Sequence, residues 1–468
     1  MRGGVYGCLA VTAEVDGAAA SAFKVVIAGG GVAGAEALLA LRHLMKERIT
    51  VELVCPRRDM SFRPFAVAEP FGLGETHDLR LDVLAQEQAA DFREDALATV
   101  EADRHTITTE SGASIGYDAL LIAVGCRWSE RMPGALNYDG SRRANSDYRV
   151  LLDELEAGKI RRIVYAVPTW LRWTLPIYDL ALLTARHAGR RALAGVEIVL
   201  ASAEGRPVEM FGRRASDTTA AVLEEAGIEF LGSHAPMEGG PRGLLLSDGR
   251  LLEADRVVAL PGASVAPIPG VPQGPSGFIG TDRHMQVESL PRVYAAGDAT
   301  WFPIKQGGLA AQQADVAAET IASCVDPVIP KGRFRPVLRG ALLGGPTPLY
   351  VRSGVAGTNA PSAVGAAPLW WPPTKIGARY LAPYLAGLRK PEQVLEDLPE
   401  LHGEDLSESA SVHREAVGLA LACADADALW MNYQGALRWL DLAEARDVVL
   451  SPAYARKRRE WTAELPPN

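Results

Sequence analysis

The run Lys24-Val25-Val26-Ile27-Ala28-Gly29-Gly30-Gly31-Val32-Ala33-Gly34-Ala35-Glu36-Ala37 carries glycines at the spacing G-x-G-x-x-G between an apolar strand and a helix-forming segment. That spacing builds a cradle for a dinucleotide. Gly29 permits the tight turn, Gly31 lets the main chain approach a pyrophosphate, and Gly34 lets helix and strand pack closely. Free N–H groups at the helix start, around Val32 and Ala33, face the phosphate charge. Far downstream, Tyr294-Ala295-Ala296-Gly297-Asp298-Ala299-Thr300 reads as a strand ending in Gly297-Asp298. Such an end returns to the same ligand through polyol or phosphate hydrogen bonds.

Other chemistry is limited by what the chain contains. The five cysteines (Cys8, Cys55, Cys126, Cys324, Cys423) form no CxxC and no His/Cys ligand spacing, so dithiol and metal sites are not expected, and a reducing cytosol suits them. A net charge of −9 argues against a nucleic-acid surface. No run reaches the roughly 18 apolar residues of a membrane span. Residues 1–22, interrupted by Glu14 and Asp16, read as a disordered extension and not as a secretory leader.

The elements that position the cradle follow a doubly wound pattern. A helix over about 33–46 leads into the strand Ile49–Val54, which runs into Cys55-Pro56-Arg57-Arg58 where an acidic ribose ligand is usual, so Arg57 or backbone groups are expected to meet the adenosine. A helix near 82–90, short strands turned at Ser111-Gly112, and the strand Tyr117–Gly125 follow. The theme recurs in Leu244–Leu246, the turn Asp248-Gly249 and Ala254–Gly262, which implies a duplicated α/β architecture: two doubly wound domains, each with a β-meander. The second copy begins at Ile163–Val167, but its turn reads Pro168-Thr169-Trp170-Leu171-Arg172-Trp173-Thr174-Leu175-Pro176. Bulky Cβ substituents there would keep phosphate oxygens away. Trp170 and Trp173 either stack on a cofactor and wall off a nicotinamide pocket, or fill core. Cys126 is either a redox thiol or a buried apolar cysteine.

With both ends of the cradle and the duplicated body in view, the chain resembles the FAD-dependent pyridine nucleotide-disulfide oxidoreductase superfamily, in its sulfide:quinone reductase and type II NADH dehydrogenase branch. The resemblance covers roughly Phe23 to Tyr350. It rests on the first glycine turn, on Tyr117-Asp118 through Gly125, and on Gly297-Asp298 with the glycine-led helix after it; Arg63-Pro64 stands where these proteins carry an F-x-P element beside the flavin. The resemblance implies FAD bound by Gly29, Gly31, Val32, Ala33 and Gly34 at its pyrophosphate, by Ala123, Val124 and Gly125, by Pro64, and by Gly297 and Asp298 on the ribitol side. A helix starting near Gly307-Gly308 would point its N-terminus at the flavin O2 edge, with Lys305 helping to stabilise reduced flavin. Lys305, Trp173 and Cys126 are the catalytic candidates, with Glu69 and Asp179 as further polar groups. The active-site cysteines of sulfide:quinone reductases are missing, since Asn145, Trp173 and about Leu342 stand at those positions. The second GxGxxG of type II NADH dehydrogenases is missing too. Of their quinone-side A-Q-x-A-x-Q-Q motif, Ala310, Gln312 and Gln313 match.

The remaining chain divides into an irregular region (331–395) and a helical tail (396–468). Strands are expected near 333–339 and 348–352, a mobile loop over 353–368, and a helical hairpin from 416–424 and 433–445, of the kind that docks on the body or on a second subunit. Ile376, Tyr380 and Tyr384 in Leu369–Leu385 share a face of an amphipathic segment with Lys375 and Arg379, which suits either a bilayer headgroup region or packing on the flavin domain. The domains read as 23–145 and 271–330 for FAD and 146–270 for the degraded copy. The leading function is a single-FAD oxidoreductase passing electrons from an unidentified small donor to a quinone or similar acceptor, cytoplasmic or peripheral on the inner face of the cytoplasmic membrane. The alternatives are an NAD(P)H-dependent quinone or electron-carrier reductase, and a flavin-binding interaction protein without turnover.

Overall fold

The computed structural model describes residues 22–63, 66–73, 77–167, 169, 172–345, 347–354, 362–370, 374–386, 437, 440 and 452–463. Strand β1 (Phe23–Ala28) buries Val25, Val26, Ile27 and Ala28 completely. Apolar residues at successive positions must be covered on both faces, which is the condition of a central parallel strand. Around it lies a five-stranded all-parallel sheet in the order Val293–Ala295, Ala119–Ile122, β1, β2 (Ile49–Cys55) and Asp91–Glu94. A second parallel sheet of five runs Leu136–Asn137, Arg256–Ala259, β3 (Arg162–Val167), β4 (Glu197–Ser202) and Ile228–Leu231. Each sheet has an antiparallel three-stranded meander beside it, 97–116 in the front half and 236–253 in the back. The two-fold doubly wound architecture expected from the strand pattern is present.

Helices cover the sheets: α1 (Val32–Met45), α2 (Leu81–Glu87) and α6 (Gly307–Val325) in front, α3 (Arg142–Glu156), α4 (Leu175–Arg190) and α5 (Arg213–Glu225) behind. Ala35 and Ala37 of α1 and Ala311, Ala314 and Ala318 of α6 lie in one core, where small side chains let the two helices approach. The front sheet is discontinuous in sequence, because its edge strand Val293–Ala295 and α6 come after the whole back sheet.

The third region departs from expectation in three places. The strands run Val337–Leu342 and Leu349–Gly354, antiparallel, so 333–336 precedes the first one. Part of the expected mobile loop is a third strand, Ala363–Gly365, paired with Tyr350–Arg352. The amphipathic segment is a strap that becomes helical only at α7 (Leu381–Leu385). Trp370 is fully buried, and Tyr380 packs into the front core beside α1. Gly377 and Pro383 keep the strap from forming the longer helix its apolar spacing suggested, and its Trp370 and Tyr380 pack on protein. Trp371, the first 21 residues and most of 396–468, including all of the expected hairpin but Leu437 and Leu440, lie outside the described residues. A described helix, Pro452–Ala463, begins seven residues beyond the end expected for the hairpin. Among the described residues no helix is long and apolar enough to cross a membrane.

Candidate functional site

The three glycines of the front turn are demanded by three different neighbours. Gly29 has φ +118°, and a Cβ on it would sit 2.2 Å from the Ala123 carbonyl oxygen. At Gly34 a Cβ would fall 1.9 Å from the Gly29 oxygen, so helix and turn interlock there. Around Gly31 nothing lies within 4 Å of the corresponding point. The bare main chain at Gly31 therefore opens onto a groove of about 620 Å³, lined by Gly29, Val32, Arg57, Ala123, Val124, Gly125 and Asp298, among others. Open space at the one glycine that packing does not require is what a bound pyrophosphate needs. The residues present fit an FAD-type dinucleotide. Arg57 is exposed on the groove, while its neighbour Arg58 is held by Glu94 at 2.6 Å.

A second cavity of about 290 Å³ continues from this groove, with Val32, Ser61, Arg63, Trp128 and Asp298 common to both. Tyr138, Trp173, Lys305, Gly307, Lys375 and Ile376 add to its wall. The N-terminus of α6 opens onto it. Gln306 caps that helix by accepting from Leu309 N at 2.7 Å and ties it to the third region by donating to Arg339 O at 3.2 Å. At Gly307 a Cβ would lie 2.7 Å from Ile376 Cδ1, so a glycine is needed there for the strap to pass. Gly308 is buried under Gly377. Gly297, at φ +82°, fits between Ala33 and Ala310 and donates its N–H to Gln313 Oε1 at 2.7 Å.

The titratable candidates cluster where the two spaces meet. Lys305 Nζ donates to the carbonyls of Thr300 (2.6 Å) and Phe302 (2.8 Å) and lies 3.8 Å from the Phe278 ring centre. Burial lowers its pKa to about 8, against the opposing pull of Asp298. Asp298 is itself pushed up by burial, and Lys305 restrains that rise. Cys126 Sγ is 4.0 Å from Asp298 Oδ2; burial, then the Asp298 charge, push the thiol up to about 12. In this setting it is protonated at neutral pH and is a poor nucleophile.

Other sequence candidates serve as framework. Asp179 is fully buried, accepts from Leu343 N at 2.6 Å and pairs with Lys375 Nζ at 2.6 Å. Glu69 accepts from Asn145 Nδ2 at 2.7 Å and pairs with Arg149. Gln312 bridges to Val337 through both amide atoms, and Gln313 serves Gly297, so neither is a solvated face residue. Leu342 is buried at a strand end. Pro64, Trp170 and Leu171 lie outside the described residues.

In the back unit Trp173 and Glu204 are engaged by contacts within the protein. Trp173, half-buried, lies 6.0 Å from the Phe211 ring and packs against Gly340, where a Cβ would be 3.3 Å from its ring. Glu204, two residues beyond β4, stands where a nucleotide-binding unit keeps its ribose carboxylate. It instead accepts from Tyr178 Oη at 2.7 Å, Ser202 Oγ at 3.2 Å and Glu209 N at 3.2 Å, and burial raises its pKa. Sequence reasoning passed over Glu204, although an acid just after the second strand of the back copy was a readable sign. It also missed the Gln306 cap, immediately upstream of the glycine pair it had noted.

The family model described as pyridine nucleotide-disulphide oxidoreductase matches residues 23–165 and 181–319, more than half of the chain. The sulfide-quinone reductase of Aquifex aeolicus is 31% identical over 103 residues, a stretch covering 22% of this chain and 24% of that protein. The crystal structure of sulfide:quinone oxidoreductase from the same bacterium superposes with a TM-score of 0.65 at 18% identity, covering 74% of this chain and 87% of that one. NDH2 of Plasmodium falciparum in complex with NADH gives 0.57 at 13%, covering 74% and 92%. At these identities the superpositions speak for the fold. The chain belongs to the pyridine nucleotide-disulphide oxidoreductase family.

Proposed function

We propose that the chain moves electrons through FAD from a small donor other than a free nicotinamide nucleotide to a quinone or similar small acceptor. The observation that carries this reading is the contrast between the two turns: Gly31 presents open main chain, whereas the back turn packs Trp173 against Phe211 and Gly340 and Glu204 is consumed by Tyr178. FAD, when bound, supplies the two-electron redox chemistry. In this reading Gly29, Gly31, Val32, Ala33 and Gly34 hold the pyrophosphate, Arg57 meets the adenosine, and Ala123, Val124 and Gly125 wall the groove. Gly297 and Asp298 face the ribitol. Gly307, Gly308 and Lys305 set the field at the flavin, Trp173 bounds the cavity, and Cys126 packs as a neutral thiol. The FAD unit is then 23–145 with 271–330, and 146–270 is a back unit that has kept its fold and lost its ligand.

The test is anaerobic mixing of the yellow holoenzyme with NADH or NADPH and, in parallel, with reduced sulfur species and quinols. Slow or absent bleaching by micromolar nicotinamide, with rapid bleaching by a small donor, is expected. Rapid bleaching by NADH would overturn the reading and favour a nicotinamide-dependent reductase.

A further inference from the structure

The strap that walls the flavin-side cavity is fastened at both ends by buried carboxylates. Toward the back unit, Lys375 Nζ meets Asp179 at 2.6 Å, where the aspartate is completely enclosed. Toward the front unit, Glu36 of α1, also completely enclosed, accepts the backbone N–H groups of Tyr380 (2.8 Å) and Leu381 (2.5 Å). Between these anchors Ile376 rests on Gly307 at the start of α6. Glu36 has a second acid beside it, Asp315 of α6, whose Oδ1 is buried without a hydrogen-bond partner and whose ionisation the Glu36 charge opposes. Two buried carboxylates in contact cannot both be charged without a severe cost. We propose that the Glu36–Asp315 acid pair is a latch that positions the 374–381 strap, so that Glu36 acts on the cavity through Ile376 and Lys375.

The chemistry is consistent. Burial raises Glu36 to about 7 and drives Asp315 well above its usual range, so at neutral pH the pair retains a proton. With the proton on Asp315, its hydroxyl donates to Glu36, whose carboxylate also accepts the two strap amides. The other titratable and charged groups around the latch are Arg379, which lies 3.2 Å from Glu319 and whose charge favours an ionised Asp315; His43, stacked on Tyr380 at 5.2 Å; and Glu87, bonded to Tyr384 Oη at 2.6 Å. The sign follows from Asp315: its folded pKa is raised, so its contribution is held at lower pH and lost as pH rises through the folded value. Above that point two charges face each other and the strap loosens.

The experiment is hydrogen exchange of residues 374–386 in the holoenzyme, expressed as protection relative to intrinsic rates, between pH 7 and 9.5. Wild type should lose protection as pH rises. Glu36→Gln replaces an accepting oxygen by a donor, and the Tyr380 and Leu381 amides should lose about tenfold in protection or more. Asp315→Asn keeps a donor toward Glu36 and cannot supply the second charge, so its protection should not fall across the same range. This contrast separates a latch from a merely structural pair. Unchanged protection in Glu36→Gln, or an alkaline loss in Asp315→Asn equal to that of wild type, would overturn the proposal. The proposal rests on the flavin-site reading only for its effect on the cavity: a preparation that never binds flavin would sink that reading, while exchange in the strap would still judge the latch.

Discussion

Gly31 and Gly34 lie three residues apart and answer to different masters. A Cβ at Gly31 meets no protein atom within 4 Å, so Gly31→Val should leave thermal unfolding of the apoprotein within a few degrees of wild type while flavin content, read at 450 nm, collapses. Gly34→Ala places a methyl group against the Gly29 oxygen and should destabilise the fold itself by at least about 1–3 kcal/mol, read by denaturant unfolding. Lys305 is a residue of the cavity wall whose charge state changes near physiological pH. Its pKa is lowered to about 8, so the ammonium is present below that value and lost above it. Lys305→Met should lower the flavin midpoint potential at pH 7 by an amount on the order of 30 mV, equivalent to about 1.4 kcal/mol in a two-electron couple. The difference from wild type should shrink above pH 8; an unchanged potential at pH 7 would remove Lys305 from the flavin field.

At the scale of elements, α6 is fixed at its first turn by a side chain and not by its glycines. Gln306→Ala removes both the cap on Leu309 N and the link to Arg339 O, and should cost roughly 1–2 kcal/mol in denaturant unfolding. The front turn and both sheets were legible in the sequence because their causes are local: glycine spacing, runs of β-branched residues, and turn signals such as Asp248-Gly249. The strap was not legible, because what holds it lies 344 residues away at Glu36 and 196 away at Asp179. Its apolar spacing was read as amphipathic, and periodicity does not say whether the apolar side meets lipid or α1. Gln312 and Gln313 show the same limit. The motif they match pointed to a quinone side, whereas their partners, Val337 and Gly297, come from other elements.

For the molecule as a whole, the strap is one of the pieces that touch both units. Lys375→Met would leave the Asp179 carboxylate buried without its counter-charge, at an expected cost of about 3–5 kcal/mol in unfolding free energy. Asp179→Asn in the same background should recover part of that loss, since the stranded charge is then gone; the double variant measured against each single one checks the coupling. The back sheet is assembled from a single uninterrupted stretch, residues 136–259, whereas the front sheet needs an edge strand at 293–295 and a covering helix that ends at 325. A ribosome delivering this chain thus releases the later unit complete before the earlier one can close. The nucleotide-holding half must wait, with α1 uncovered, until about two hundred further residues have emerged, which makes it the half most in need of chaperone protection during synthesis.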